Sequence, residues 1–187
     1  YFDLVSNESI RLEVLIPEER IRRLVAELAQ EITRDFAGRD PIIVRVLRGA
    51  VFFHADLVRR LPPDLRIDYL AVASYDGTDP AGEICLLKDL ETPLHGEDVL
   101  LVEDIVDTGG TLQYLRRLLE ARNPRTLRIC SLLSKKARRR VTVEIDYLGF
   151  EIPDRFVVGY GLDWNQRYRN LPYVGTLLPD HLPSASK

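Results

Sequence analysis

Three carboxylates and a glycine turn lie in one short stretch of the chain. The segment Val99–Leu112 has the sequence VLLVEDIVDTGGTL, in which Glu103 and Asp104 follow four apolar residues and Asp107 comes three residues later. An apolar run of this kind is typical of a buried strand, and a carboxylate at its end costs free energy unless a partner satisfies it. The partners that suit carboxylates are hydroxyl groups, a metal ion or a cationic intermediate.

The residues that follow the acids are suited to a phosphate group. Thr108, Gly109, Gly110 and Thr111 come directly after Asp107, and a helix is predicted to begin near Thr111. Glycines let the backbone approach a ligand closely, and amides at a helix N-terminus point towards an anion. Because carboxylates repel phosphate, we expect Glu103 and Asp104 to contact ribose hydroxyls or a Mg²⁺ ion bound to the same ligand. The motif therefore predicts a site for a sugar phosphate.

Composition limits the class of protein. The 187 residues are 45% hydrophobic and 29% charged, which is typical of a globular protein with one domain. The net charge of −3 argues against nucleic acid as the main partner. Cys85 and Cys130 lie in apolar contexts, so we expect two buried free thiols and a cytoplasmic location. No apolar run approaches the ~20 residues of a membrane span, and the first ten residues do not resemble a signal peptide.

Predicted helices and strands alternate along the chain. The apolar spacing predicts helices over 17–36, 51–61 and 111–123, and strands over 41–47, 67–75, 98–104, 126–133 and 155–161. We expect the polar segment 76–83 to be mobile and the tail 178–187 to be frayed. The alternation favours an α/β fold with a parallel sheet, in which ligands bind beyond the carboxyl ends of the strands.

Other site motifs can be excluded. The chain has no G-x-x-x-x-G-K-[ST] loop, and GYGLDW lacks the third glycine of a dinucleotide fingerprint. The spacing of His54, His95 and His181 matches neither a metal site nor a catalytic triad, so we interpret all three as structural.

The segment Val99–Leu112 resembles the phosphoribosyl-pyrophosphate (PRPP) signature of type I phosphoribosyltransferases. Other segments resemble the bacterial-type hypoxanthine-guanine branch of that family, in the expected order. VLRGAVFFHADLVRRL is similar to its pyrophosphate loop and helix, SYDGT to the start of its mobile loop, and SLLSKK and GFEIPDRFVVGYGLDWNQRYRNLPYVG to its base-binding region. The resemblance implies a central, mostly parallel twisted sheet flanked by helices. It also implies one domain over 1–187, with a core at roughly 40–165 and a small hood from the N-terminal segment and 145–187.

The resemblance also implies an activity. It is transfer of the 5-phosphoribosyl group from PRPP to hypoxanthine or guanine, with Mg²⁺, giving IMP or GMP and pyrophosphate. By resemblance, Asp107 is the general base, Glu103 and Asp104 lie near the ribose hydroxyls and Mg²⁺, and Asp163 is a further Mg²⁺ contact. The 5-phosphate would bind the turn of Thr108, Gly109, Gly110 and Thr111.

Further roles follow from the same resemblance. Leu47, Arg48 and Gly49 match the pyrophosphate loop, where the family often has a cis peptide, and Arg169 matches a pyrophosphate-binding arginine. Ser74 and Tyr75 would begin a loop that closes over the site. Purine contacts are implied for Lys135, Phe156, Val157 and Asp163. Since lysine only donates hydrogen bonds, Lys135 favours an oxo purine over an amino purine.

Several alternatives stay open on the sequence. A xanthine-preferring or pyrimidine phosphoribosyltransferase would share the PRPP signature, although the C-terminal block argues against a pyrimidine enzyme. A PRPP-binding regulator of nucleic acid is favoured only by the basic run KKARRR over 135–140. A protein that only mediates interactions would not need the acidic constellation. The resemblance implies a homodimer or homotetramer, and the apolar segment VFFHADL suits an interface.

Overall fold

A computed structural model of the chain describes residues 12–75 and 83–177. The elements, in chain order, are β1 (Leu12–Ile16), α1 (Glu18–Asp35), β2 (Ile42–Leu47), α2 (Val51–Val58), β3 (Arg66–Tyr75), β4 (Glu83–Lys88), β5 (Asp98–Val106), α3 (Gly110–Glu120), β6 (Thr126–Ser134), β7 (Tyr147–Glu151), β8 (Val157–Val158) and β9 (Val174–Leu177).

Six strands form the central sheet in the order β4-β3-β2-β5-β6-β7. All neighbours are parallel except β4, which pairs antiparallel with β3 at one edge. Helices α1 and α2 contribute to the apolar cluster on one face, and α3 to the cluster on the other. The apolar run of β5, residues 99–102, is fully buried, as expected for a strand covered on both faces. The predicted α/β fold with a mostly parallel sheet is confirmed.

The spacing of apolar residues explains why the segment of α1 forms a helix. Ile21, Val25, Leu28 and Ile32 recur every three or four residues and are all buried. Pro17 lies just before the first helical residue, where a missing amide hydrogen costs nothing. The prediction for this helix agrees with the structure to within one residue at each end.

Four predicted elements differ from the structure by two or more residues at one or both ends. Helix α3 ends at Glu120 rather than residue 123. Helix α2 ends at Val58 rather than Leu61, since a Pro-Pro pair follows Leu61. Strand β5 continues to Val106, so the acidic pair lies inside the strand rather than at its end. The strand predicted over 155–161 is reduced to Val157–Val158, because the next three residues have φ values of +95°, +50° and +105° and turn the chain.

A second, three-stranded sheet joins the two ends of the described chain. Its order is β1-β9-β8, and both pairings are antiparallel. The sequence prediction assigned none of β1, β4, β7 and β9 as a strand. We call the three-stranded sheet, together with the connecting segment 159–173, the hood. Strand β8 carries Val157 to the site described below.

His54 is a buried residue of α2. The residue is 2% exposed, and burial, aided by the charge of Arg45, lowers its pKa from 6.5 to about 4. A hydrogen bond with the backbone of Ile43 opposes that shift, and Nε2 has no hydrogen-bond partner among the described residues. Both cysteines are free thiols, but only Cys130 is buried as predicted, whereas Cys85 is partly exposed. No helix within 12–75 or 83–177 has the length and apolar character needed to cross a bilayer.

Candidate active site

The predicted site residues converge at the carboxyl edge of the central sheet. Strands β2, β5 and β6 are neighbours, and the chain leaves them at Arg48, Asp107 and Lys135. An open cleft of about 830 Å³ lies at this edge. Its lining comprises Val46, Leu47, Arg48, Gly49, Ala71, Val72, Leu87, Glu103, Asp104, Ile105, Asp107, Thr111, Lys135, Arg138, Phe156, Val157, Leu162, Asp163, Gln166 and Arg169.

The acidic pair lines the floor of this cleft. Glu103 is buried, and its Oε2 has no hydrogen-bond partner among the described residues. Burial, together with the charge of Asp104, raises the pKa of Glu103 well above its usual value. Burial also raises the pKa of Asp104 to about 6, although the backbone amide of Ile105 donates to its Oδ1 at 2.8 Å. Two carboxylates whose charge is this poorly compensated are suited to a cation or to several hydroxyl donors.

The loop after β2 packs directly on this pair. A Cβ atom on Gly49 would lie 1.6 Å from Oδ2 of Asp104, and one on Gly161 would lie 1.9 Å from the carbonyl oxygen of Gly49. Only glycine therefore fits at either position. The peptide bond between Leu47 and Arg48 is cis, as the family resemblance suggests.

A cation–carboxylate cluster lies on the other side of the acidic pair. Nζ of the buried Lys135 is 3.6 Å from Oδ2 of Asp107. Nε of Arg138 lies 3.3 Å from Oδ1 of the same carboxylate. Phe156 lines the cleft and is 39% exposed, which is unusual for a large apolar side chain. The adjacent Val157 is buried.

The turn after β5 has the geometry expected of an anion site. Gly109 has a φ of +92°, and a Cβ there would lie 2.7 Å from the carbonyl oxygen of Val141. The amides of Arg140 and Val141 donate to the carbonyl of Thr108 at 2.9 and 3.2 Å and so brace the turn. Helix α3 begins at Gly110, so the positive end of its dipole lies beside the cleft that Thr111 lines.

A second polar cluster lies where the hood meets the loop after β2. Nη2 of Arg169 is 2.7 Å from Oδ1 of Asp163, and its Nη1 donates to the carbonyl of Gly161 at 2.6 Å. Oε1 of Gln166 accepts from Nη1 of Arg48 at 3.1 Å and from Nη2 of Arg169 at 3.4 Å.

The acidic residues of the cleft suit Mg²⁺ as it is bound in enzymes that act on phosphate-bearing substrates. No group of three or more His, Cys, Asp or Glu side chains is placed to hold a metal in the described part of the chain. Mg²⁺ keeps several waters and commonly takes only one or two carboxylates plus substrate oxygens. The unpartnered Oε2 of Glu103 and the crowded carboxyl of Asp104 match that requirement.

Most of the predicted site residues line one cleft. Thr108, Gly109 and Gly110 lie beside it in the turn that leads to Thr111. Ser74 and Tyr75 end β3, where their backbones pair with β4, and the predicted mobile loop lies mostly outside the described residues. The sequence prediction missed Arg138 and Gln166. The run KKARRR could have indicated Arg138, which lies one 3₁₀ turn after Lys135, whereas Gln166 has no sequence signal.

The chain matches a family model described as a phosphoribosyl transferase domain over residues 15–165. It is 47% identical over 173 residues to a hypoxanthine-guanine phosphoribosyltransferase of Mycobacterium tuberculosis, with 89% of this chain and 86% of that protein covered. It is also 45% identical over 178 residues to the bifunctional protein TilS/HprT of Listeria innocua, covering 93% of this chain. The chain spans only 28% of the length of that relative.

A solved structure has the same fold. It is the hypoxanthine phosphoribosyltransferase of Trypanosoma cruzi in complex with its product IMP, which is 35% identical to the chain and superposes with a TM-score of 0.86. The match covers 96% of the chain described here and all of that protein.

Proposed function

The chain belongs to the phosphoribosyl transferase domain family, and on that premise we propose that it transfers the 5-phosphoribosyl group of PRPP to hypoxanthine or guanine. The products are IMP or GMP and pyrophosphate, so the reaction salvages purines. The observation that carries the proposal is the pairing of Lys135 with Asp107 at 3.6 Å, on strand ends next to an acidic pair and a phosphate-type turn. A donor for an oxo group and an acceptor for a ring proton are thus side by side.

Each of these residues has its own role in the transfer reaction. One imidazole nitrogen of the purine attacks the anomeric carbon, a C–N bond forms, and the C–O bond to pyrophosphate breaks with its electron pair leaving on pyrophosphate. The proton on the other imidazole nitrogen passes to Asp107. Lys135 donates to the six-position oxygen of the base. Phe156 stacks on the purine ring, and the backbone of Val157 hydrogen-bonds to the pyrimidine edge of the base.

The acidic residues stabilise the positive charge that develops on the sugar. The transition state has oxocarbenium character, as in glycoside chemistry, and nearby carboxylates stabilise such a cation. Glu103 and Asp104 would bind the ribose hydroxyls and, with Asp163, a Mg²⁺ ion. When bound, Mg²⁺ neutralises charge on the leaving pyrophosphate. The turn over 108–111 would hold the 5-phosphate, with the loop at 47–49 and Arg169 on the pyrophosphate.

The direct test is an assay with purified protein, PRPP and Mg²⁺, supplied in turn with hypoxanthine, guanine, xanthine, adenine and uracil. We expect nucleotide formation with hypoxanthine or guanine and at least a tenfold lower kcat/KM with adenine. Excess chelator should abolish turnover, and added Mg²⁺ should restore it. Undiminished turnover in excess chelator would contradict the metal role, and a preference for xanthine or uracil would contradict the proposed substrate.

We propose further that the protein acts as a homodimer or homotetramer in the cytoplasm. In support, Phe52 on α2 is 40% exposed next to the pyrophosphate loop, and both cysteines are unpaired. Sedimentation equilibrium of the wild type and of Phe52→Asp tests the assembly. A wild-type monomer at micromolar concentration would contradict it.

A further inference from the structure

The cationic side chains of the segment 136–140 differ in what they contact. Lys136 and Arg138 each have a carboxylate oxygen nearby, at 3.9 and 3.3 Å. Arg140 is exposed to solvent, whereas Arg139 is partly buried. Arg139 takes part in none of the ion pairs formed within residues 12–75 and 83–177. Its charge is therefore partly removed from water without a carboxylate to balance it.

The side chain of Arg139 lies against the turn between β5 and α3. A Cβ atom on Gly109 would lie 3.2 Å from Cδ and 3.5 Å from Nη1 of Arg139. Because Gly109 has no side chain, the guanidinium group can lie next to the backbone of the turn. The amides of Arg140 and Val141 donate to the carbonyl of Thr108, so the segment that follows Arg139 is fixed to the same turn.

One side of this guanidinium group is held and the other is unpaired. Nη2 donates to Oγ of Ser134, the buried last residue of β6, at 2.6 Å. Nη1 is buried and has no hydrogen-bond partner in the described part of the chain. A hydroxyl oxygen orients the group without cancelling its charge. A buried charged atom that lacks both an acceptor and a counter-ion is destabilising, and an anion that binds nearby relieves that cost.

The turn itself has no cationic side chain to offer a phosphate. Its residues over 108–111 are two threonines and two glycines, so it provides amides, hydroxyls and the end of a helix dipole. A phosphate monoester has a charge of about −1.5 to −2 at neutral pH, whereas a helix N-terminus supplies only about half an elementary charge. The nearby Lys135 and Arg138 already pair with Asp107. Arg139 is thus suited to balance the rest of the phosphate charge.

On the basis of the proposed function, we propose that Arg139 is a positioning residue for the 5-phosphate of PRPP and IMP. Arg139 is not among the residues that line the cleft, so its charge acts on the phosphate across the backbone of the turn. The positive charge of the side chain is the property that matters, because the amides and hydroxyls of the turn supply the hydrogen bonds.

The test compares binding of IMP to the wild type, Arg139→Met and Arg139→Lys by isothermal titration. Methionine keeps an unbranched apolar side chain next to Gly109 but removes the charge, whereas lysine keeps the charge. We expect about tenfold weaker IMP affinity in Arg139→Met, the order expected for opposite charges a few ångströms apart in a partly buried site. In Arg139→Lys the loss should stay below about threefold, since the attraction between charges remains. The KM for PRPP should rise in the same order.

Binding of pyrophosphate with Mg²⁺ is the internal control, because pyrophosphate has no 5-phosphate. Its affinity should stay within about twofold in both variants. Arg140→Met removes the same charge from the exposed neighbouring residue and should alter neither ligand. Unchanged IMP affinity in Arg139→Met, equal losses of IMP affinity in Arg139→Met and Arg139→Lys, or equal losses for IMP and pyrophosphate would overturn the assignment of Arg139. A wild type that binds IMP but converts PRPP with no purine would instead overturn the proposed function.

Discussion

At the scale of single residues, the carboxylate of Asp107 lies between two cationic side chains. Lys135 is buried 3.6 Å from one carboxylate oxygen, and Arg138 is 3.3 Å from the other. The two cations keep the carboxylate oriented towards the cleft before a base arrives.

Asp107→Asn keeps the shape of the side chain but removes proton acceptance and negative charge. We expect single-turnover rates to fall by about 10²–10⁴-fold, the usual range for general acid–base catalysis, with PRPP affinity changed only modestly. Glu103→Gln should show the opposite pattern, with weaker PRPP or Mg²⁺ binding and a smaller effect on the chemical step. Near-normal single-turnover chemistry in Asp107→Asn would leave Asp107 as a turn residue only.

Lys135→Ala should weaken binding of the base and leave binding of PRPP almost unchanged. A hydrogen bond from a charged donor predicts an increase of about 10- to 100-fold in the KM for hypoxanthine. The neighbouring Lys136→Ala is the control, because the side chain of Lys136 is exposed and its Nζ lies 3.9 Å from Oε1 of Glu151. A matching loss of PRPP affinity in Lys135→Ala would assign this lysine to the sugar phosphate instead.

At the scale of elements, the turn between β5 and α3 depends on one backbone conformation. In Gly109→Ala the new Cβ would meet the carbonyl of Val141 at 2.7 Å, at a φ of +92°. We expect the KM for PRPP to rise about tenfold, with little change in the KM for the base. Gly38→Ala is a matched control, since Gly38 has a φ of +73° but open space around its Cα. Both variants should lose about 1–2 kcal/mol in denaturant unfolding, and an increase in KM shared by both would refute a local role for Gly109.

The sequence predicted well those elements whose signal is local. The alternating apolar runs identified β2, β3, β5 and β6, and the residue types after β5 indicated the acids and the phosphate turn. Strands β1 and β9 were missed because they are stabilised by pairing with each other across some 160 residues, and such pairing leaves no local pattern. Gln166 was missed for a similar reason, since its contacts depend on where Arg48 and Arg169 meet.

At the scale of the whole molecule, burial of His54 couples folding to pH. The folded protein resists protonation of this ring down to about pH 4, whereas the unfolded chain takes up the proton near pH 6.5. Stability should therefore fall as the pH drops from about 6.5 to 4, by on the order of 3 kcal/mol if the ring alone is considered. His54→Gln should flatten this part of the profile of unfolding free energy against pH. His95→Gln, on an exposed turn, should retain it, and an unchanged slope in His54→Gln would exclude His54 as the source.

The pairing of β1 with β9 has a consequence for synthesis on the ribosome. Translation delivers β1 first, and its partner strand follows only after residue 173 has been made. At typical elongation rates that interval lasts roughly ten to thirty seconds. During it the nascent β1 has an unpaired backbone edge, which is the feature that chaperones and aggregating neighbours recognise. The hood is thus completed only after β9 has left the exit tunnel, later than every strand of the central sheet, so the cleft is finished after the sheet that forms its floor.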